Sequence, residues 1–352
     1  MTAPKETSVK PAAPKSTGVQ QVTITQADSD QRLDRWFKKH YPHLTHGRLE
    51  KLLRTGQIRI DGKRAKAADR LESGQIVRVP PLGEANTPRP DDFAYEPKPV
   101  SARDAEALRK TVLFKDDDVI VINKPAGLAV QGGTGLDTNV DAMLEALQFD
   151  APERPRLVHR LDRDTSGCLV LARNQAAARK LTEAFRDKTT RKVYWAVTVG
   201  APKMNEGKID APLAKQSVAA VGRRAAERVQ IDEEDGKNAV TYYAVIERAH
   251  DKAAWIALMP LTGRTHQLRA HCVALGTPIL GDGKYAGAKA YFAREALSNQ
   301  LHLHARSIKI PHPTKRGFVD VTAPLPAHMQ KTWDFFEFAA KPDGDPFAGL
   351  QL

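Results

Sequence analysis

Apolar positions recur at two different periods along this chain, and the change of period divides it. Over residues 32–40, Leu33, Trp36 and Phe37 lie three and four apart, the spacing of a short helix with one apolar face. Leu49, Leu52 and Leu53 predict a second helix, opened by Thr45 as its cap, running through Arg54 and stopped by Gly56. Residues 58–60 then read as a strand, Asp61-Gly62 as a tight hairpin turn, and residues 76–79 as a closing strand. Residues 21–80 therefore read as one small α/β module, preceded by a tail over residues 1–20.

Six prolines between Pro80 and Pro99 forbid a continuous helix or a central strand there, so residues 81–105 read as a linker. Beyond it, "TVLFKDDDVIVINKPAGL" predicts two apolar strands around an acidic turn. Residues 139–147 predict a helix, 168–172 a strand and 175–188 a helix. Residues 192–199, 240–247 and 255–260 predict strands, and 267–275 a helix. The polar stretch 215–237 reads as a loop or protruding hairpin, and the last dozen residues as frayed. Strands and helices do not alternate strictly. The expected class is α+β, a mixed and largely antiparallel sheet with flanking helices. It occupies residues 106–335, and residues 336–352 form a C-terminal tail.

Charge changes the picture more than composition does. The 352 residues carry 54 Lys and Arg against 42 Asp and Glu, a net charge of +12, which favours a polyanionic partner. Apolar runs such as Val119–Ile122 are too short to span a bilayer, and nucleic acid remains. From Asp30 to Pro80 there are 13 Lys and Arg against 6 Asp and Glu. Arg35 and Lys38 lie on the first predicted helix. Arg48, Lys51 and Arg54, three apart, share one face of the second, and Lys63 follows the turn. Such a stripe is often just a solvated surface. Its recurrence on both helices favours phosphate contact. Cys168 and Cys272 sit in apolar stretches without zinc spacing and read as buried thiols. The first twenty residues lack the apolar core of a secretion signal and the arginines of a transit peptide, so the expected location is cytoplasmic.

Three segments could carry chemistry. "VHRLDRDTSGCLVLARN" packs His159, Arg160, Asp162, Arg163 and Asp164 into a loop just before an apolar strand, where a carboxylate can be fixed among cations. "LTGRTHQLRAH" places Arg264 and His266 in a turn that opens a helix and Arg269 one turn beyond. "RKVYWAVTVG" puts Tyr194 on a strand. Taken singly, these read as a salt-bridged surface loop, a capped helix and a core tyrosine.

Together they resemble the bacterial Rlu-type pseudouridine synthases, the RluA-like family, whose catalytic signature "HRLDRDTSG" matches. "RKVYWA" and "TGRTHQLRAH" match its second and third motifs, and "GDGKY" and "LHLHARSIKIPHP" match later segments. "RLDRWFKKHYPHLTHGRLEKLLRTGQIRIDGK" resembles an S4 RNA-binding domain. That arrangement is most similar to the family's large-subunit ribosomal RNA enzymes. The resemblance implies Asp162 as catalytic carboxylate, Tyr194 as active-site tyrosine and Arg269 as basic partner of the aspartate. It associates Arg160 with displacing the target base, and it implies substrate contact for His159, Arg264 and His266. The reaction gains and loses no atoms, so neither metal nor redox cofactor is expected. The expected partner is ribosomal RNA in a structured stem–loop or junction, met by a monomer. An RNA-binding assembly factor and a hydrolytic N-glycosidase are the competing readings; the latter would release free uracil.

Overall fold

The computed structural model describes residues 18–82, 100–132, 138–218, 226–292 and 297–350. They form two compact units, divided between Glu96 and Pro97. Most of the expected N-terminal tail and linker therefore lies outside the described residues.

In the first unit, strand β1 (Gln20–Thr23) precedes helices α1 (Leu33–His40) and α2 (His46–Arg54). Strands β2 (Arg59–Ile60), β3 (Lys63–Arg64) and β4 (Ile76–Val79) complete an antiparallel sheet in the order β1-β4-β2-β3. The apolar residues picked out by helical spacing are the ones that pack. Leu33, Trp36, Phe37, Leu49, Leu52 and Leu53 share one core with Ile58, Val77 and Val79. Thr45 occupies the N-cap of α2 without a side-chain capping bond. Gly56, at φ +70°, ends α2 in the left-handed conformation that glycine tolerates. Asp61 and Gly62, at φ +48° and +77°, supply the paired positive φ of a tight hairpin. Arg35, Lys38, Arg48, Lys51, Arg54 and Lys63 are all exposed, on the side of the helices and turn opposite this core.

The second unit opens with helix α3 (Ala102–Arg109), whose N-cap Ser101 accepts the Asp104 amide. Its strands are β5 (Val112–Lys115), β6 (Val119–Lys124), β7 (Arg156–Leu157) and β8 (Ser166–Ala172), followed by helix α4 (Gln175–Arg186). Then come β9 (Arg191–Val199), β10 (Glu206–Asp210), β11 (Leu213–Val218), β12 (Ala226–Ile231), β13 (Val240–Ala249) and β14 (Ala253–Pro260). Helices α5 (Gln267–Ala274) and α6 (Gly283–Ala286), strands β15 (Leu303–Pro311) and β16 (Phe318–Thr322), and helix α7 (Ala327–Phe336) complete it.

The sheet runs β10-β13-β14-β9-β15-β8-β6-β5, with β16 on β15 and β7 on β8. Every pairing is antiparallel except β15 with β8. This is the mixed, largely antiparallel α+β architecture that the segment order predicts. Side chains alternate across the pleat, so Tyr194 and Trp195 face opposite ways. Trp195 joins Trp255, Trp333 and Phe338 in a buried aromatic cluster on one face. Tyr194 packs with apolar clusters on the other.

Two expectations fail for physical reasons. Residues 139–147 form only a short 3-10 turn at Leu144–Leu147. The Val140 and Asp141 amides bond instead to the carbonyls of Ala129 and Val130, which withdraws them from a helix. The last residues up to Leu350 are not frayed. Phe338 and Phe347 are buried in the aromatic cluster, and Asp345 pairs with Arg191 at 2.5 Å. Two anchoring phenylalanines outweigh a Pro-, Gly- and Asp-rich composition. Within the polar stretch 215–237, β11 and β12 pair as an antiparallel hairpin; its tip lies outside the described residues.

Candidate active site

The loop that carries Asp162 is pinned from below. Lys124, the last residue of β6, has no exposed surface. Its Nζ donates to the carbonyls of Pro125 (2.9 Å), Leu128 (2.8 Å) and Arg163 (2.9 Å), so three donors meet three acceptors. Burial outweighs the nearby Asp164 and Asp162 and pulls this ammonium down to about 7. Gly127 donates its amide to the Arg163 carbonyl and accepts from Arg163 Nε, closing the loop onto the strand end.

Immediately after the loop, β8 enters the parallel seam. Ala305 of β15 lies opposite Gly167 of β8 and, on its other side, opposite Tyr194 of β9. Tyr194 in turn lies opposite Leu258 of β14. One row across four strands therefore sets Tyr194 beside the Asp162 loop, despite the helix that separates them in sequence.

The turn before α5 is organised by Gln267, which is buried. Its Oε1 accepts from Thr262 Oγ1 (2.7 Å) and the Arg264 amide (3.0 Å). Its Nε2 donates to the Val240 carbonyl and to Thr241 Oγ1, both at 3.0 Å. Arg264 Nε donates to the Asn238 carbonyl (3.1 Å). His266 enters α5 at φ +53°, a left-handed conformation that a residue with a side chain adopts at a cost. A non-glycine residue in that region points to a site held by its surroundings.

Asp162, Tyr194, Arg269, His159, Arg160, Arg264 and His266 all line one cleft of about 560 Å³. The residues of the second unit singled out from the sequence thus converge, and the basic residues of the first unit belong to a separate compact body. Burial pushes the Asp162 carboxyl above its ordinary value; Arg269, Arg160, Lys284 and Lys124 act in the opposite direction. Burial, aided by Asp162, likewise pushes the Tyr194 phenol up, so it stays protonated at neutral pH.

Two placements refine the sequence reading. Arg269 pairs directly with Asp282, through Nε at 2.8 Å and a terminal nitrogen at 2.6 Å, a bidentate fork. Its charge reaches Asp162 through space, and it is the foremost charge favouring ionisation there. His159 accepts the Val170 amide at Nε2 (2.8 Å) and stacks on Phe185 at 4.3 Å, and burial holds it neutral, down to about 3. It offers the cleft a neutral ring, with one nitrogen already used.

Sequence reasoning gave no role to Lys124, Asp282, Tyr285 or Gln267. A lone lysine closing an apolar run before proline is a faint signal for the first. Asp282 and Tyr285 lie inside "GDGKY", whose resemblance to a family segment implies no role for either side chain. Among the described residues, no group of three or more His, Cys, Asp or Glu side chains is arranged to hold a metal ion.

A loop-borne carboxylate facing a strand tyrosine, with guanidinium groups around it, is a site built for acid–base or nucleophilic work on a polyanion. Residues 118–274 match the family model described as RNA pseudouridylate synthase. Ribosomal large subunit pseudouridine synthase C of Rickettsia prowazekii is 34% identical, over 85% of this chain and 95% of that one. RNA pseudouridine synthase 4, mitochondrial, of Arabidopsis thaliana is also 34% identical, over 86% of this chain and 79% of that one. Among solved structures, human RNA pseudouridylate synthase domain containing 4 superposes with a TM-score of 0.55 and 29% identity, over 66% of this chain and 95% of that one. The chain belongs to the RNA pseudouridine synthases, isomerases that act on RNA.

Proposed function

We propose that this protein converts specific uridines of large-subunit ribosomal RNA to pseudouridine, with Asp162 of the "HRLDRDTSG" segment as the catalytic carboxylate. The observation that carries the reading is the convergence of Asp162, Tyr194 and Arg269 in one cleft. The ribosomal target is supported by what the relatives from Rickettsia and Vibrio are named for, the large ribosomal subunit.

The reaction breaks the bond from uracil N1 to the ribose, turns the base and rejoins it through C5. One ionised carboxylate serves as nucleophile or base. Arg269 and Arg160 favour its charged form against burial. Tyr194, kept protonated, can stack on the base and take part in proton transfer to or from it. His266 and Arg264 line the same cleft and contact the substrate. Extracting the target from its stack costs a few kcal/mol, less in loops and bulges. Arg160, exposed at the cleft, is placed to fill the vacated space and offset part of that cost. The preferred target is accordingly an unpaired uridine in a stem–loop or junction. A monomer acting in the cytoplasm completes this reading.

The first unit serves as an S4-like RNA-binding module through Arg35, Lys38, Arg48, Lys51, Arg54 and Lys63. Their exposure on one basic module supports this. Removing residues 1–80 is expected to weaken RNA binding by one to two orders of magnitude, as read by filter binding, while short RNA fragments are still isomerised. The salt slope of log affinity should flatten, because each lost phosphate contact removes nearly one unit. Full-rate modification of full-length RNA by the truncated chain would refute the module's role.

The decisive experiment is pseudouridine mapping of ribosomal RNA from cells lacking the gene, with and without complementation by the intact chain. Sites that vanish and return name the substrate. An unchanged ribosomal map would refute the ribosomal assignment and send the search to transfer or messenger RNA. Release of free uracil by the purified protein would indicate a glycosidase instead.

A further inference from the structure

Tyr285 stands where three parts of the catalytic unit meet. Its hydroxyl accepts the Val229 amide of β12 (3.2 Å) and lies 2.7 Å from His266 Nδ1. The Arg269 guanidinium lies 5.0 Å from its ring centroid, and that of Arg228, from β12, 5.9 Å. Arg228 also donates to the Lys284 carbonyl, beside Tyr285 on α6. The hairpin is thus fastened to α6 at both its backbone and a side chain. His266, held left-handed at the entry to α5, places Nε2 4.0 Å from Oδ1 of Asp162.

Counting protons gives this chain a direction. The tyrosine oxygen accepts from an amide, so its own proton is free to donate, and the acceptor beside it is His266 Nδ1. An imidazole that accepts at Nδ1 and is neutral carries its proton on Nε2. Burial, reinforced by Arg269, Lys284 and Arg160 and opposed by Asp282, keeps His266 neutral, down to about 4. The nitrogen facing Asp162 therefore bears a hydrogen.

We propose that Tyr285 and His266 form a positioning relay, anchored at the Val229 amide of the hairpin, that presents an Nε2–H to the Asp162 carboxylate. The inference rests on Asp162 being the catalytic carboxylate. A separation of 4.0 Å is not a hydrogen bond. Catalytic contacts tighten when substrate fills a site, and an approach of about 1 Å completes this one. A donor there favours the ionised carboxylate, in the same sense as Arg269, Arg160, Lys284 and Lys124 and against burial. Tyr285 then acts through His266 rather than on the uridine.

The test uses the full chain and a ribosomal RNA transcript, with single-turnover isomerisation followed against pH. Tyr285→Phe keeps the ring under Arg269 and removes only the hydroxyl. It is expected to slow the step by roughly tenfold, to leave RNA affinity within about twofold, and to move the acidic limb of the profile to higher pH. His266→Gln can still accept at one end and donate at the other, so it should retain more activity than His266→Phe. A wild-type rate with an unmoved acidic limb in Tyr285→Phe would overturn the relay. So would equal impairment of the two His266 variants. Asp162→Asn is measured alongside: if it stays active, the carboxylate reading itself fails and takes the relay with it. If it is inactive while Tyr285→Phe behaves as wild type, the relay alone is wrong.

Discussion

Asp162→Asn is expected to abolish isomerisation while making the folded protein more stable near neutral pH. The activity loss should reach roughly four orders of magnitude, as for other enzymes stripped of the group that attacks or takes the proton. Asparagine keeps the size of the side chain and its contacts, so RNA binding should survive. The gain in stability follows from the direction of the pKa shift. Burial raises the Asp162 carboxyl in the folded protein above its ordinary value. Between those two values the folded state holds a proton that the unfolded chain has released. Stability therefore falls as pH rises through that window, and the full penalty stands above it. Asparagine carries no such penalty. Thermal melts of wild type and Asp162→Asn should thus diverge at pH 7 to 8 and converge as pH drops below the ordinary carboxylate range. A variant less stable than wild type at neutral pH would mean that the cations around Asp162 outweigh its burial. Isomerisation by the variant at more than a hundredth of the normal rate would remove Asp162 from the chemistry.

Gly167→Ala should be strongly destabilising for a single added methyl in the second unit. Gly167 has φ +107°, and an added Cβ would lie 2.2 Å from the Ala305 carbonyl oxygen. That oxygen belongs to the backbone of the neighbouring strand at the parallel seam, which cannot rotate aside. Strained backbone and steric overlap together should cost about 3 kcal/mol or more. Such a loss should lower the melting temperature of the catalytic unit by several degrees. Activity should fall with it, because the same row of residues sets Tyr194 beside the Asp162 loop. Gly263→Ala is the matched control: no atom lies within 4 Å of its added Cβ and its φ is not in the left-handed region. It should melt within about 1 °C of wild type, since an unobstructed surface change is worth a few tenths of a kcal/mol. Equal melting temperatures for the two variants would mean that β8 and β15 can part without loss.

Much of the fold is legible along the chain itself. Leu33, Trp36, Phe37, Leu49, Leu52 and Leu53 follow the helical period and form the first core. The apolar runs around Val119–Lys124, Ser166–Ala172 and Ala253–Pro260 are almost fully buried strands, as their composition demands. These are local properties: a repeat of 3.6 or 2 residues needs no knowledge of the rest of the chain. Other elements carry weaker local signals. Strand β15 lies within a segment interrupted by His302, His304, Arg306, Lys309 and His312, and its role depends on strands far away in sequence. Helix α5 forms where residues 267–275 predict one, but it is buried on nearly all sides although it holds Gln267, Arg269 and His271, so its sequence shows no polar face from which to read its packing. The expected helix at residues 139–147 gave way because the carbonyls of Ala129 and Val130 compete for its amides.

The α+β class, the basic character of residues 30–80 and the segments that meet in the cleft are all legible along the chain. How those segments divide the work follows from how they pack. Packing gives Arg269 to Asp282 rather than directly to Asp162, uses His159 Nε2 to hold β8, and buries Lys124 under the Asp162 loop. It also brings Tyr285, His266 and the hairpin into one line. The reason is physical: a buried charge or ring nitrogen takes whichever donor or acceptor lies within about 3 Å. Which groups come that close is set by strand order and register, and these join residues as far apart in sequence as Ser166 and His304.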